Sequence, residues 1–222
     1  MKKKIFKYDY EKQKSKRQKE NYQRCLDSGF KESTNYEELD KILAYLEMSK
    51  EQLLKSNPKI RRLVAYACAT KTTRQSTKDE TAVIKGIDST FSNINFRKPK
   101  PEIRPIKDGR VLSKKEMLKE GLDKDKDALK SFDIEITGAK VNGYGFHKYT
   151  NGTGGHQDNV RREVLEFIDW ANKNNDQYKI YILILDGIYH KNCSEYIEKA
   201  EWNNILIGNH IEIQEMIHDY IN

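Results

Sequence analysis

Between Ser131 and Thr137 apolar and polar side chains alternate in "SFDIEIT", the period of a strand with one face covered. The alternation predicts Phe132, Ile134 and Ile136 on one face and Asp133, Glu135 and Thr137 on the other. "KVNGYGFHKYT" follows, and its Asn142-Gly143 pair is a strong short hairpin signal. A helical period takes over at residues 158–173, where Val160, Val164, Phe167, Ile168 and Ala171 share one stripe. "YKIYILILDG" is almost wholly apolar, as in a strand covered on both faces. "NNILIGN" reads as one more strand and "HIEIQEMIHDYIN" as a closing helix. The order of helix, hairpin, helix, strand, helix, strand, helix predicts an α/β fold with a mixed sheet.

Ahead of this region, signals for helix starts recur. Thr34 stands three residues before Glu37 and Ser49 three before Gln52, both at capping-box spacing. Asn57 and Pro58 suit an N-cap and a first helical position. The three short helices expected over residues 34–70 form a helical annex, either scaffold or a helix-turn-helix-like reader. Residues 1–31 are dominated by charge, with Phe6, Tyr8, Tyr10 and Tyr22 among the lysines. They read as a solvated helix or a basic arm. "TKTTRQSTKDETAVIKGI" is polar and then helical from about Thr77. Lys71, Arg74 and Lys78 flank that helix start, a good position for phosphate contact. Glu80, expected in the first turn, suits the helix dipole. "RKPKPEIRPIKDGR" reads as an extended connector and "SKKEMLKEGLDKDKDALK" as a polar helix with a charged loop. The expected division is a basic helical region over 1–70 and a core over 71–222.

Composition narrows the class of partner. The chain has 222 residues and a formal net charge of +7, with a pI near 9.0. That balance favours a polyanion, nucleic acid ahead of an acidic membrane surface. Cys25, Cys68 and Cys193 are scattered and suggest neither a disulfide framework nor a zinc site. A reducing cytoplasm fits them. No apolar run approaches a membrane span, and the first residues lack the apolar core of a signal peptide. His190 with Cys193, and His210 with His218, lack zinc-ligand spacing. "GTGG" is not followed by the Gly-Lys-Ser/Thr of a nucleotide loop.

Cutting a phosphodiester with a metal ion needs carboxylates to hold the cation and usually a side-chain cation near the attacking water. Asp133, Glu135, Lys148 and Glu163 answer that description. A two-residue turn at Asn142-Gly143 sets Lys148 opposite Thr137, which leaves Asp133 roughly 13 Å away at about 3.3 Å per residue. Either a longer loop around Ala139–Asn142 shifts the register by an even number, or Glu135 is the nearer partner. Glu163 lies about 80° from the middle of its helix's apolar stripe at 100° per residue, on a flank beside the sheet. Asn159 and Trp170 share that flank. Gly152, Gly154 and Gly155 bend the chain between Lys148 and Glu163; they serve a tight loop or offer N–H groups to a phosphate.

Together these residues resemble the PD-(D/E)XK nuclease fold of type II restriction endonucleases, in the branch whose active-site glutamate has moved to the helix after the lysine strand. The pattern here is Asp133, Lys148, the loop "NGTGGHQDN" with Gln157 and Asn159, then Arg161 and Glu163. "RQSTKDE" before a helix, and "LILDGIY" followed by a helix and "NNILIGNHIEI", add to the likeness, which spans residues 71–222. The chain departs from the pattern where Phe132 precedes Asp133 and Phe146 stands two residues before Lys148. The resemblance implies a restriction-endonuclease-like mixed sheet flanked by helices, with Asp133 and Glu163 as ligands of Mg²⁺ and Lys148 at the attacking water. Glu135 stays as the other candidate for the second ligand. It further implies site-specific cleavage of double-stranded DNA by a homodimer or homotetramer, with a partner DNA methyltransferase. Lys71, Arg74, Lys78, His156, Gln157, Asn159, Arg161 and Arg162 are the expected DNA contacts. Two alternatives are a non-catalytic sequence-specific DNA-binding protein and a repair or junction nuclease.

Overall fold

A five-stranded mixed sheet carries the candidate site. The computed structural model describes residues 4–32, 35–70, 75–139, 141–150, 157–176 and 178–221, with the backbone alone at 70, 75–77, 150 and 157. The chain divides into two compact units, one Asp9–Asp79 and the other Met1–Tyr8 with Glu80–Asn222.

The helical unit contains α1 (Tyr10–Asp27), α2 (Tyr36–Tyr45), α3 (Lys50–Lys55) and α4 (Pro58–Thr70). Cys25, Phe30, Leu39, Leu53, Val64, Ala65 and Cys68 form its core. The capping box of Ser49 and Gln52 is present. Asn57 Oδ1 accepts from Lys59 N at 2.8 Å behind the opening Pro58. At α2 the cap is Asn35, whose side chain accepts from Glu38 N; the expected Thr34 lies outside the described residues.

The sheet unit takes in α5 (Gln75–Asp88) from Glu80 onward, then β1 (Ile94–Arg97), β2 (Ile103–Pro105), β3 (Val111–Ser113), α6 (Lys114–Lys119), β4 (Ile134–Gly138) and β5 (Asn142–Thr150). It continues with α7 (Gln157–Lys173), β6 (Lys179–Gly187), a 3-10 turn at Ile188–Asn192, α8 (Cys193–Lys199), β7 (Ile205–Gly208) and α9 (His210–Ile221). The strand order is β1-β4-β5-β6-β7. β1, β4 and β5 pair antiparallel, and β5, β6 and β7 parallel. The protein is therefore α/β, with a mixed sheet flanked by helices and an N-terminal helical region. Three short strands escaped the periodicity reading. β1 is four residues, and β2 lies inside the proline-rich segment expected to be a plain connector, paired with β3 just beyond it.

α7 covers one face of the sheet. Its Val164, Phe167, Ile168 and Trp170 pack with Phe132, Phe146, Tyr181, Leu183 and Leu185. Successive strand side chains point to opposite faces, so Asp186 leaves β6 on the other side, where it meets His210 of α9 at 2.9 Å. β6 is buried from Ile180 through Asp186, as its continuous apolar run requires. Residues 4–8 are not a free arm: Phe6 N donates to Gln214 Oε1 at 2.8 Å and Tyr8 N to His210 Nε2 at 3.0 Å.

The hairpin register decides which residues meet. Ile134 pairs with Gly145 and Thr137 with Asn142. Asn142-Gly143 is thus strand, not turn, with β4 ending at Gly138 and β5 already begun at Asn142. Close packing explains the glycine, because a Cβ on Gly143 would lie 1.9 Å from Ile180 O of the next strand. Strict alternation also fails at one point. Phe132 and Asp133 precede β4, and Phe132 packs with the α7-side cluster rather than beside Ile134 and Ile136.

Candidate active site

Lys148 enters from β5 on the α7 face, the same side as Phe146. The residue is only 8 % exposed. Its ammonium lies 5.6 Å from the Phe146 ring centre and 3.1 Å from Glu163 Oε2. Glu163 reaches it because the apolar stripe of α7 seats Val164 and Phe167 in the core and leaves Glu163 on the flank. A second lysine, Lys130, places its ammonium 3.0 Å from the same carboxylate oxygen. Burial would raise the Glu163 carboxyl, but the charge of Lys148 and the bond from Lys130 hold it below its usual range. Burial pushes the Lys148 ammonium down, Asp133 opposes this, and the neighbouring Lys130 adds to it.

Asp133 lies beside this pair. The regular pairing ends at Ile134 opposite Gly145, and Asp133 follows it off the ladder, near enough for its charge to act on the Lys148 ammonium. Its carboxylate is anchored by the backbone, with Oδ2 accepting from His147 N at 3.2 Å. Its own N–H donates to Gly145 O at 3.0 Å. Glu135 has the opposite fate. It pairs with Tyr144, four residues from Lys148, or roughly 13 Å. There it bonds Arg97 Nε at 2.9 Å. The even register shift brings Asp133 toward the lysine and carries Glu135 away, so of the two alternatives it is the shifted register, with its longer connection, that the hairpin adopts.

The carboxylate that the strand-and-loop pattern omitted is Glu80. It lies in the second turn of α5, not the first, so the dipole role expected there is not its setting. Its side chain is 14 % exposed and its Oε1 sits 2.6 Å from Lys98 Nζ. Burial and then the negative charge of Asp133 raise its carboxyl above the ordinary value. Lys98 keeps a raised ammonium although burial opposes it, because Glu80 bonds and attracts it. A signal was legible: Glu80, Val83, Ile84 and Ile87 share the spacing i, i+3, i+4, i+7, which puts a glutamate on an apolar stripe.

Among the described residues, no three His, Cys, Asp or Glu side chains are gathered as a metal cage. Mg²⁺ does not require one, since it keeps several waters and takes one or two carboxylates plus substrate phosphate. Asp133 and Glu80 fit that need. Both are mostly buried oxygen donors, and the charge of Asp133 acts on Glu80. Glu163, expected as a ligand, is instead engaged by two ammonium groups.

The remaining expected contacts separate by position. Arg161 reaches α8, with its guanidinium 2.6 Å from Glu195. Arg162 is largely exposed and 3.9 Å from Glu166. Lys78 and Asn159 are exposed. Lys71, Arg74 and His156 lie outside the described residues, and Gln157 is described only as the first residue of α7. Behind the site, Asp186 bridges His147 at 3.2 Å and His210 at 2.9 Å. This buried chain fixes the β5 backbone that holds Asp133.

No protein-family model matches this chain, and neither does any curated protein or solved structure. Among the described residues no helix is long and apolar enough to cross a membrane.

Proposed function

We propose that the protein is a metal-dependent endonuclease acting on double-stranded DNA, of the restriction type that its motif resembles. One observation carries the reading: a nearly buried lysine touches Glu163 beside the desolvated carboxylates of Asp133 and Glu80. A purely structural core has little use for Lys148, Asp133 and Glu80 at such depth, with Glu163 at their edge, because each buried charge costs desolvation. The net charge of +7 suits a polyanionic substrate.

Asp133 and Glu80 would hold Mg²⁺. When bound, the ion lowers the pKa of a water and neutralises the phosphoryl oxygens. Lys148 hydrogen-bonds the attacking water and stabilises charge on the phosphate. Glu163 fixes the direction of the Lys148 ammonium, and Phe146 with the α7 core keeps bulk water from it. The resemblance adds a homodimer or homotetramer and a partner methyltransferase to the proposal.

The test is digestion of a sequenced phage genome with Mg²⁺. Discrete bands support a restriction enzyme. Smears or structure-selective nicks indicate a repair or junction nuclease, and tight binding without cleavage indicates a reader.

A further inference from the structure

Two lysines around the site are built differently from Lys148. Lys98 follows β1 and Lys130 precedes Asp133 by three residues. Their side chains are 46 % and 43 % exposed, while the carboxylates they bond, Glu80 and Glu163, are 14 % and 29 % exposed. Each lysine therefore stands at the rim and reaches inward to cover a carboxylate. Lys148, whose side chain is 9 % exposed, has no such freedom.

The local charge balance gives this arrangement a consequence. Glu80, Asp133 and Glu163 face Lys98, Lys130 and Lys148, so three negative groups meet three positive ones. A divalent cation entering at Glu80 must compete with Lys98. Once it binds, the site carries excess positive charge, so Lys98, displaced from Glu80, and Lys130, which shares Glu163 with Lys148, both have anionic phosphate as their natural partner. Each lysine keeps nearly half of its side chain in water, so it can exchange one anionic partner for another without leaving solvent.

We propose that Lys98 and Lys130 are internal counter-ions that hand over: they cover Glu80 and Glu163 in the absence of substrate and move to DNA phosphates when a divalent cation arrives. This rests on the metal-dependent reading of the same site. It makes cation and DNA binding mutually reinforcing, because a ligand that favours the lysine-released state favours the other equally. Lys98 and Lys130 are thus positioning and phosphate-binding residues, distinct from Lys148 at the water.

The experiment uses the full chain and Mn²⁺ as probe, with free Mn²⁺ followed by electron paramagnetic resonance without DNA. Lys98→Gln should tighten Mn²⁺ binding by roughly two- to fivefold, as expected when a partly exposed ammonium no longer competes for the Glu80 carboxylate. In Ca²⁺, where cleavage is suppressed, Lys98→Gln and Lys130→Gln should each weaken binding to a random-sequence duplex. Each should also flatten the log-affinity against log-salt slope by about 0.9. Lys98→Arg and Lys130→Arg keep the charge and should restore that slope. Glu80→Gln is the control that should abolish Mn²⁺ binding. If wild type binds Mn²⁺ through Glu80 yet Lys98→Gln leaves that affinity unchanged or weaker, the hand-over is wrong and the metal site stands. The same holds if both glutamine variants keep the full salt slope. If wild type binds no Mn²⁺, both readings fall. Thermal melts of each variant identify any that fail to fold, and the arginine variants then decide by retaining wild-type Mn²⁺ affinity and slope.

Discussion

Glu80 occupies a position on an apolar stripe where a leucine would be stabilising, and its carboxyl is raised because burial and Asp133 oppose its charge. A carboxylate with a raised folded pKa destabilises the fold at pH values above that pKa, and the penalty fades as pH falls through it. Glu80→Gln should therefore raise the melting temperature at pH 8, by about 2–4 °C for each kcal/mol relieved in a chain of this size. It should at the same time abolish metal-dependent cleavage. A melting temperature lowered by Glu80→Gln would mean that the Lys98 bond outweighs the penalty. Glu163→Ala should slow cleavage by orders of magnitude, while Glu135→Ala, which only frees Arg97, should leave the rate near wild type. Cleavage kinetics of the two variants under saturating Mg²⁺ check the assignment, and the reverse pattern would return the role to Glu135. At this scale Asp133, Lys148 and Glu163 were readable because their spacing follows a strand, a loop and a helix. Glu80 was readable only as an odd residue on a stripe. Lys98 and Lys130 carry no sequence signal, since a lysine beside a loop looks solvated until the carboxylate it covers is placed in space.

Among the elements, α7, β6, β7 and α9 follow directly from hydrophobic period. Their patterns are long or continuous enough to outvote local exceptions. β1, β2 and β3 are three or four residues each, too short for an alternation to be distinguished from a loop. The register of β4 and β5 was hidden for a different reason. Asn142-Gly143 has the chemistry of a turn, but Gly143 is required where β5 approaches Ile180 O. Gly143→Ala should accordingly destabilise the sheet, checked by thermal melts, although alanine is the better residue in most strands' neighbours. Phe167→Ala, fully buried at the centre of the α7 contact, should cost about 3–5 kcal/mol in denaturant unfolding. Tyr181 of β6 gives a pH prediction. Burial, with Asp176 and Tyr144 adding to it, raises its phenol to about 12 from 10.0. The unfolded chain then loses this proton first, so stability is complete below pH 10 and falls as pH rises from 10 toward 12. Tyr181→Phe should move the alkaline unfolding midpoint upward, as followed by circular dichroism.

For the whole molecule, the proposed function divides between a sheet unit with the candidate site and a helical unit with exposed basic residues. In the helical unit Lys12, Lys14, Lys16 and Lys19 of α1 and Arg62 of α4 are exposed, while Arg61 is partly buried. Neutralising the α1 lysines should weaken binding to any duplex and flatten its salt slope by about 0.9 per lost phosphate contact. Arg61→Ala and Arg62→Ala should instead reduce discrimination between the cognate site and single-mismatch duplexes, where a lost base contact costs about 1–3 kcal/mol. Full discrimination in both variants would make the helical unit scaffold rather than reader. The central claim remains chemical: the buried lysine and its carboxylates cut DNA. Its most direct test is the single-turnover rate of duplex cleavage in Mg²⁺ for wild type and Lys148→Ala, with duplex binding in Ca²⁺ measured on the same preparations. The account predicts cleavage by wild type, a rate lower by roughly 10²–10³-fold in Lys148→Ala, and equal binding by the two. No strand scission by wild type with any divalent cation, or an undiminished rate in Lys148→Ala, would contradict it.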